Sequence, residues 1–260
     1  MDDIGRLLDF TLECARAGGR IAMGHFGRHP EAKRKEDGSW ATAGDWETEA
    51  QIRIRIARAF PDHNILGEEE GLTRSGGGEP LDGAPTWIVD PIDGTNNYMA
   101  GIPIWATLIA LRLDGRFVLG VAHSPAIGET YDGALGAGAH LNGEAIHTDE
   151  TTKLGDATFC YAGVKTFAEQ GLRPFYDSLI ERTWRSRGFG DFWGHMLVAR
   201  GAAHIMVEPR LNVWDVAALV PIVTEAGGRI TDPTGNEWTD TGPCITATSA
   251  LHSEVLALAR

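Results

Sequence analysis

Trp87-Ile88-Val89-Asp90-Pro91-Ile92-Asp93-Gly94-Thr95-Asn96-Asn97 is the stretch on which the reading of this 260-residue chain turns. Residues 86–90 form a short apolar strand that runs into Pro91. The strand delivers Asp90 at its C-terminal end. Pro91 bends the chain and exposes the Ile92 carbonyl, and Asp93 returns a second carboxylate three residues on. Gly94-Thr95-Asn96 then open a helix whose free N–H groups point at an anion. Two carboxylates, a free carbonyl and an anion cradle suit a hard cation and a phosphate together. A bare Asp-x-x-Asp is equally the mark of a turn with capping aspartates, so the weight rests on the whole string.

Two further acidic segments lie outside it. Leu66-Gly67-Glu68-Glu69-Glu70-Gly71 places three carboxylates side by side, which repel unless they are solvated or bind a cation. The plain alternative is an acidic surface loop. In the segment 212–228, Asp215 stands at the start of an apolar helix, where an acid also complements the helix dipole.

Around these segments the pattern is mixed. Apolar residues at Ile4, Leu8, Leu12, Ala15, Gly19, Ala22 and Phe26 recur at helical steps, and Pro30 with the charged run 33–38 ends that helix. Residues 45–60 contain an alternating Ile-Arg run, but the acids before it favour a helix. Residues 71–85 read as a mobile glycine-rich loop. Strands are expected at 105–113 and 117–123, joined by Asp114-Gly115, and at 129–135, 203–207, 229–232 and 244–247. Helices are expected at 167–182, 192–200 and 214–226, the last closed by Gly227-Gly228. Hairpins outnumber regular βαβ alternation, which implies an α+β fold.

Composition narrows the class. Net charge is −13, and no Lys/Arg cluster offers nucleic acid a basic face. An acidic protein that binds phosphate must recruit a positive ion. Eight Trp and nine Phe require burial. Cys14, Cys160 and Cys244 are scattered and odd in number, with no zinc spacing, as in a reducing cytosol. The longest apolar run, 102–111, is too short for a bilayer, and the acidic N-terminus lacks a signal-peptide core. A cytoplasmic protein is expected. The nine His form no ligand pair, and Trp40, Trp46, Trp105 and Trp193 are expected in the core or over the site.

Taken in order, the Gly-Glu-Glu, Asp-Pro-Ile-Asp-Gly-Thr and Trp-Asp segments resemble the inositol monophosphatase family of magnesium-dependent phosphatases. The resemblance covers most of the chain, roughly residues 7–256. The family's N-terminal Lys-x-Asp-x-Ser/Thr pattern is visible at 35–45, with Trp40 and Ala41 in place of its Pro-Val. It implies a layered α-β-α-β-α unit spanning 1–260. Residues 1–140 would carry the metal and phosphate loop, and 141–260 the substrate side. It implies two or three Mg²⁺ ions held by Glu68, Asp90, the Ile92 carbonyl, Asp93 and Asp215. Thr95, paired with Asp45, would orient the attacking water, Glu69 and Asp45 would help place a third ion or its waters, and the Gly94 and Thr95 amides would bind phosphate. A homodimer acting on a small phosphate ester, with neither nucleic acid nor membrane as partner, is the expectation.

Residues 187–223 resemble the family's bacterial histidinol-phosphate phosphatases, through Gly190-Asp191-Phe192, Glu208-Pro209 and the Ala-Leu-Val-Pro-Ile-Val run. Histidinol phosphate carries an ammonium and an imidazole, so acceptors beyond the metals are needed. Asp191 and Glu208 would supply them, with Asn96 and Arg187 as further substrate-side residues; Glu208 also lines the hydroxyl site in inositol-type members, so it does not discriminate alone. Against this, Asp191 is also placed to cap a helix starting at Phe192, and Arg187 to form a surface ion pair. The expected reaction is hydrolysis of L-histidinol phosphate. The rivals are an inositol-1-phosphate or broad sugar-phosphate phosphatase and an inactive regulatory homologue. No metal ligand is missing from the pattern, which argues against inactivity.

Overall fold

The computed structural model describes residues 4–28, 31–35 and 38–259. Pro30, expected to end the first helix, and Glu36 and Asp37 of the charged run lie outside the described residues.

The first helix spans Ile4–His25 and buries Leu7, Thr11, Cys14, Ala15, Gly18, Gly19 and Ala22 along one face. The second spans Ala43–Ala59, so the Ile-Arg run is helical. Its start is fixed by a capping box: the Thr42 side chain accepts from the helix backbone, and Asp45 accepts from the Thr42 amide. Both helices pack on one face of an eight-stranded sheet, around Ile52, Ile56, Trp87, Val89, Ile109 and Val121.

In spatial order that sheet runs Glu144–Ala145, Gly138–Leu141, Glu129–Ala134, Arg116–Ser124, Ala106–Leu113, Thr86–Asp93, Asn64–Gly67 and Gly71–Arg74. Neighbours are antiparallel except Asn64–Gly67 against Thr86–Asp93, which is parallel. Thr86–Asp93 is buried along its whole length. The Asp114-Gly115 turn has φ of 47° and 80°, the left-handed pair that a tight hairpin requires.

The sheet's other face carries the helices Asp191–Ala199, Val213–Val216 and Leu219–Glu225. The contact is unusually close because two strand residues lack side chains. A Cβ at Gly120 would run into the Ala218 carbonyl, and one at Gly133 would lie 2.7 Å from Ile222 Cα. Beyond these helices lies a five-stranded sheet ordered Arg185–Arg187, Thr158–Tyr161, Ile205–Leu211, Gly242–Thr248, Gly228–Thr231. Its far face is covered by Val164–Glu169, Arg173–Arg182 and Ser249–Leu258, around Phe159, Phe167, Tyr176 and Leu251. The result is the expected α-β-α-β-α layering in an α+β fold.

Several local expectations are corrected. The loop at 71–85 begins with a strand, Gly71–Arg74, paired to Asn64–Gly67. The helix expected at 167–182 is two, separated at Gly171, whose φ is 72°. The helix at 214–226 is also two, Val213–Val216 and Leu219–Glu225. Trp105 is core, packed with Ala22, Ile92 and Tyr98. Trp40 and Trp46 are exposed, at 38% and 42%, and belong to no core. Among the described residues, no helix is long and apolar enough to cross a membrane.

Candidate active site

Asp90 and Asp93 are three residues apart in one strand, so a regular pleat would turn them to opposite faces. The pairing with Ala106–Leu113 shifts register between these two positions. That bulge re-aims the second carboxylate toward the first. The Ile92 amide donates to Asp90 Oδ1 at 2.9 Å, and the Thr107 hydroxyl ties down the Pro91 carbonyl at 2.9 Å. Asp215 is set from the opposite layer by a second capping box, in which its Oδ2 accepts from the Asn212 amide at 2.7 Å. One oxygen from each of Asp90, Asp93 and Asp215 lies within 4.8 Å of the others.

Burial raises all three, and repulsion from neighbouring carboxylates adds to it. Asp90 and Asp93 stand well above the usual carboxylate range, with Glu68 the largest repulsive neighbour of Asp90 and Asp191 that of Asp93. Asp215 is raised by burial and by Glu68 and Asp191. Such a group of acids is costly as bare anions and suits a divalent cation.

The Gly-Glu-Glu segment forms the next wall. Lys35 Nζ sits 2.8 Å from Glu68 Oε1 and 2.6 Å from Glu69 Oε1, an ammonium held where these carboxylates converge. Burial alone would lower the Lys35 pKa, but its bonds and attraction to Glu68 and Glu69 raise it. The same turn is gripped from behind. Fully buried Glu49 accepts from the Glu69 amide at 2.9 Å, the Glu70 amide at 3.0 Å and Arg53 Nε at 2.8 Å. Gly67 is required there, because a Cβ would collide with the Glu49 carboxylate. Asp45, on the same helix as Glu49, is pushed up to about 7 by burial, which outweighs two bonds from Thr42. Its Oδ1 is buried without a hydrogen-bond partner.

This donor set fits a divalent cation on its own terms. It gathers hard oxygens, already attracts one positive group in Lys35, and leaves a buried oxygen of Asp45 unpartnered. The expected bond between Thr95 and Asp45 is absent: the Thr95 hydroxyl donates to the Ile92 carbonyl at 3.0 Å, and Asp45 Oδ2 is taken by Thr42. The Thr95–Met99 helix starts after left-handed Gly94, φ 84°, and no side chain caps it, so its first amides stay available.

On the substrate side, Asp191 is the first residue of its helix and not the cap. Gly190 is the cap, with no side-chain bond, and Asp191 adopts φ 56°. Its amide donates to Glu208 Oε1 at 2.8 Å, and its own Oδ2 accepts from Asn97 Nδ2 at 2.9 Å. Burial, then repulsion from Asp191, raises Glu208 well above the ordinary value. Two expected contributors are not gathered here. Arg187 is exposed and bonds to the Ser186 carbonyl, with neither this contact nor an ion pair to any described carboxylate linking it to the cluster. Asn96 is exposed, and its neighbour Asn97 makes the contact to Asp191. Lys35, Glu49 and Asn97 were the residues that sequence reasoning passed over. The spacing Asp45, Glu49, Arg53 along one helix face was the available signal for Glu49.

The sequence profile of the inositol monophosphatase family matches residues 3–260. A histidinol-phosphatase of Mycobacterium tuberculosis is 38% identical over 227 residues, covering 85% of this chain and 85% of that protein. One of Streptomyces coelicolor is 35% identical over 235 residues, covering 87% and 86%. Among solved structures, the IMPase of Thermotoga maritima superimposes with a TM-score of 0.86 at 33% identity, covering 98% of this chain and 96% of that one. Fold, acidic site and relatives together define a phosphoric monoester hydrolase. The chain belongs to the inositol monophosphatase family, whose members are metal-dependent phosphatases.

Proposed function

We propose that the protein hydrolyses L-histidinol phosphate to L-histidinol and phosphate with Mg²⁺. One observation carries the choice of ester. The carboxylate of Asp191 borders the phosphate loop, at a point where a Cβ on Gly94 would be 3.5 Å from its Oδ2, and buried Glu208 stands behind it. An anion beside an anion-binding loop weakens phosphate binding unless the ligand brings a cation to that spot. The ammonium of histidinol phosphate does so, whereas the hydroxyls of inositol do not. The histidinol-phosphatases named among the relatives support this reading.

In this reading Asp90, Asp93, Asp215, Glu68 and the Ile92 carbonyl hold the magnesium ions. Magnesium, when bound, supplies Lewis acidity and neutralises charge on the phosphate and the departing alkoxide. The Gly94 and Thr95 amides bind the phosphoryl oxygens. Thr95, Glu69 and the unpartnered Asp45 Oδ1 orient a water in line with the ester. The water oxygen bonds to phosphorus, the ester P–O bond breaks, and a proton given up by the water ends on the departing oxygen, which leaves as the alcohol. Asp191 and Glu208 hold the ammonium end of the leaving group.

The test is phosphate release with Mg²⁺, comparing kcat/KM for L-histidinol phosphate and myo-inositol 1-phosphate. A preference of ~100-fold for the former, about 2.7 kcal/mol of differential transition-state binding, is expected. Equal values would support the second reading, an inositol or broad sugar-phosphate phosphatase, which the likeness to the Thermotoga IMPase favours.

A further inference from the structure

The wall that faces the leaving group depends on a side chain that touches none of the cation-binding carboxylates. Asn97 lies in the Thr95–Met99 helix, just past the phosphate loop. Its Nδ2 donates to the Ile104 carbonyl at 3.0 Å and to Asp191 Oδ2 at 2.9 Å. The first bond anchors the amide to the backbone that follows the loop. The second reaches across 94 positions of sequence to the helix layer between the two sheets.

Asp191 needs such a partner. Its φ of 56° is a conformation that residues other than glycine adopt rarely and at a cost of order 1–3 kcal/mol. Two bonds hold its backbone there: its own amide to Glu208 Oε1 at 2.8 Å, and the Phe192 amide to Asp93 Oδ2 at 2.7 Å. Neither touches its carboxylate. Among the described residues, that group has Asn97 as its hydrogen-bond donor. Anchored on the Ile104 carbonyl, Asn97 fixes the direction of the carboxylate through Oδ2, and Oδ1 has no hydrogen bond from any described residue.

We propose that Asn97 is a positioning residue for substrate choice: by holding Asp191 Oδ2 it aims the carboxylate at a cationic group on the alcohol side of the phosphate ester. This rests on the reading of Asp191 as counter-ion to the leaving group. Asn97 itself contacts no reacting atom.

The test uses four full-length proteins: wild type, Asn97→Ala, Asp191→Ala and the double variant. Each is assayed at saturating Mg²⁺ with L-histidinol phosphate and with glycerol 2-phosphate, a neutral-alcohol ester. The quantity read is the ratio of the two kcat/KM values. Asn97→Ala is expected to lower the ratio about tenfold, mainly through KM for histidinol phosphate, as loss of a hydrogen bond to a charged group implies. In the Asp191→Ala background the same substitution should change the ratio less than about twofold, because the group it positions is gone. A high wild-type ratio that Asn97→Ala leaves unchanged would overturn the assignment alone, and so would an equal effect in both backgrounds. A wild-type ratio near one would overturn the counter-ion reading, and the specificity role of Asn97 with it.

Discussion

The Phe192 amide donates to the Asp93 carboxylate at 2.7 Å across 99 positions of sequence. One acid thus serves two layers: it gathers with Asp90 and Asp215, and its Oδ2 fastens the helix that carries Asp191. Asp93→Asn keeps an acceptor for Phe192 but removes a charge from the cluster. It is expected to lower kcat/KM for any phosphate ester by about 10²-fold or more, while leaving thermal unfolding close to wild type. Steady-state kinetics and calorimetry check this, and near wild-type turnover would remove Asp93 from the cation site.

Asp191→Ala separates chemistry from substrate choice. It should reduce kcat/KM for histidinol phosphate about tenfold more than for glycerol 2-phosphate. Equal losses on the two esters would make Asp191 part of the scaffold.

Without divalent cations, stability should fall as pH rises. Asp45 is pushed up to about 7 by burial, and Asp90, Asp93 and Glu208 are also raised. The native state therefore binds protons that the unfolded chain has already released, so stability is greatest below the ordinary carboxylate range. From Asp45 that contribution is lost between the ordinary carboxylate value of 3.8 and about 7. Melting temperatures in EDTA across pH 5 to 8 would show the decline, and it should be shallower in Asp45→Asn. Added Mg²⁺ should reverse the trend, because it binds the ionised form.

Glu49→Ala would release the turn that presents Glu68 and Glu69 and strand Arg53 without its buried partner. Breaking such a pair costs about 3–5 kcal/mol. The milder Glu49→Gln should fold and show a raised Mg²⁺ midpoint, measured by calorimetric titration. An unchanged midpoint would confine Glu49 to stability.

Gly120→Ala tests the spacing of the layers. Its Cβ would meet the Ala218 carbonyl, which belongs to backbone and cannot step aside alone. Overpacking of this kind costs about 1–3 kcal/mol. Activity should fall further than stability alone predicts, since Asp215 sits on the displaced segment. Retained activity in the folded variant would show that the spacing tolerates adjustment.

Much of this was legible in the sequence, for definite reasons. The first helix announced itself because its apolar residues follow one face, and the Asp114-Gly115 hairpin because few residues accept those dihedrals. The acids at 90, 93 and 215 were nameable as a set through family resemblance, but their convergence depends on a register shift that no local pattern encodes. Short strands such as Arg185–Arg187, exposed or half-buried, carried no alternation to read. Long helical patterns concealed breaks because Gly171 and the Val216–Leu219 junction interrupt the backbone more than the hydrophobicity. Asn97 was hidden by proximity: two adjacent asparagines look alike until the helix turns one outward and the other toward Asp191.

The missing side chains at Gly120 and Gly133 bear on how enzymes of this design exchange one substrate for another. The helices that bring Asp215 to Asp90 and Asp93 rest on main chain, so repacking the core gives little scope to change that spacing. The wall of Asn97, Asp191 and Glu208 consists of side chains held by a few hydrogen bonds. Under the proposed reading, one or two substitutions in that wall would rewrite the alcohol specificity while the hydrolytic frame stays still.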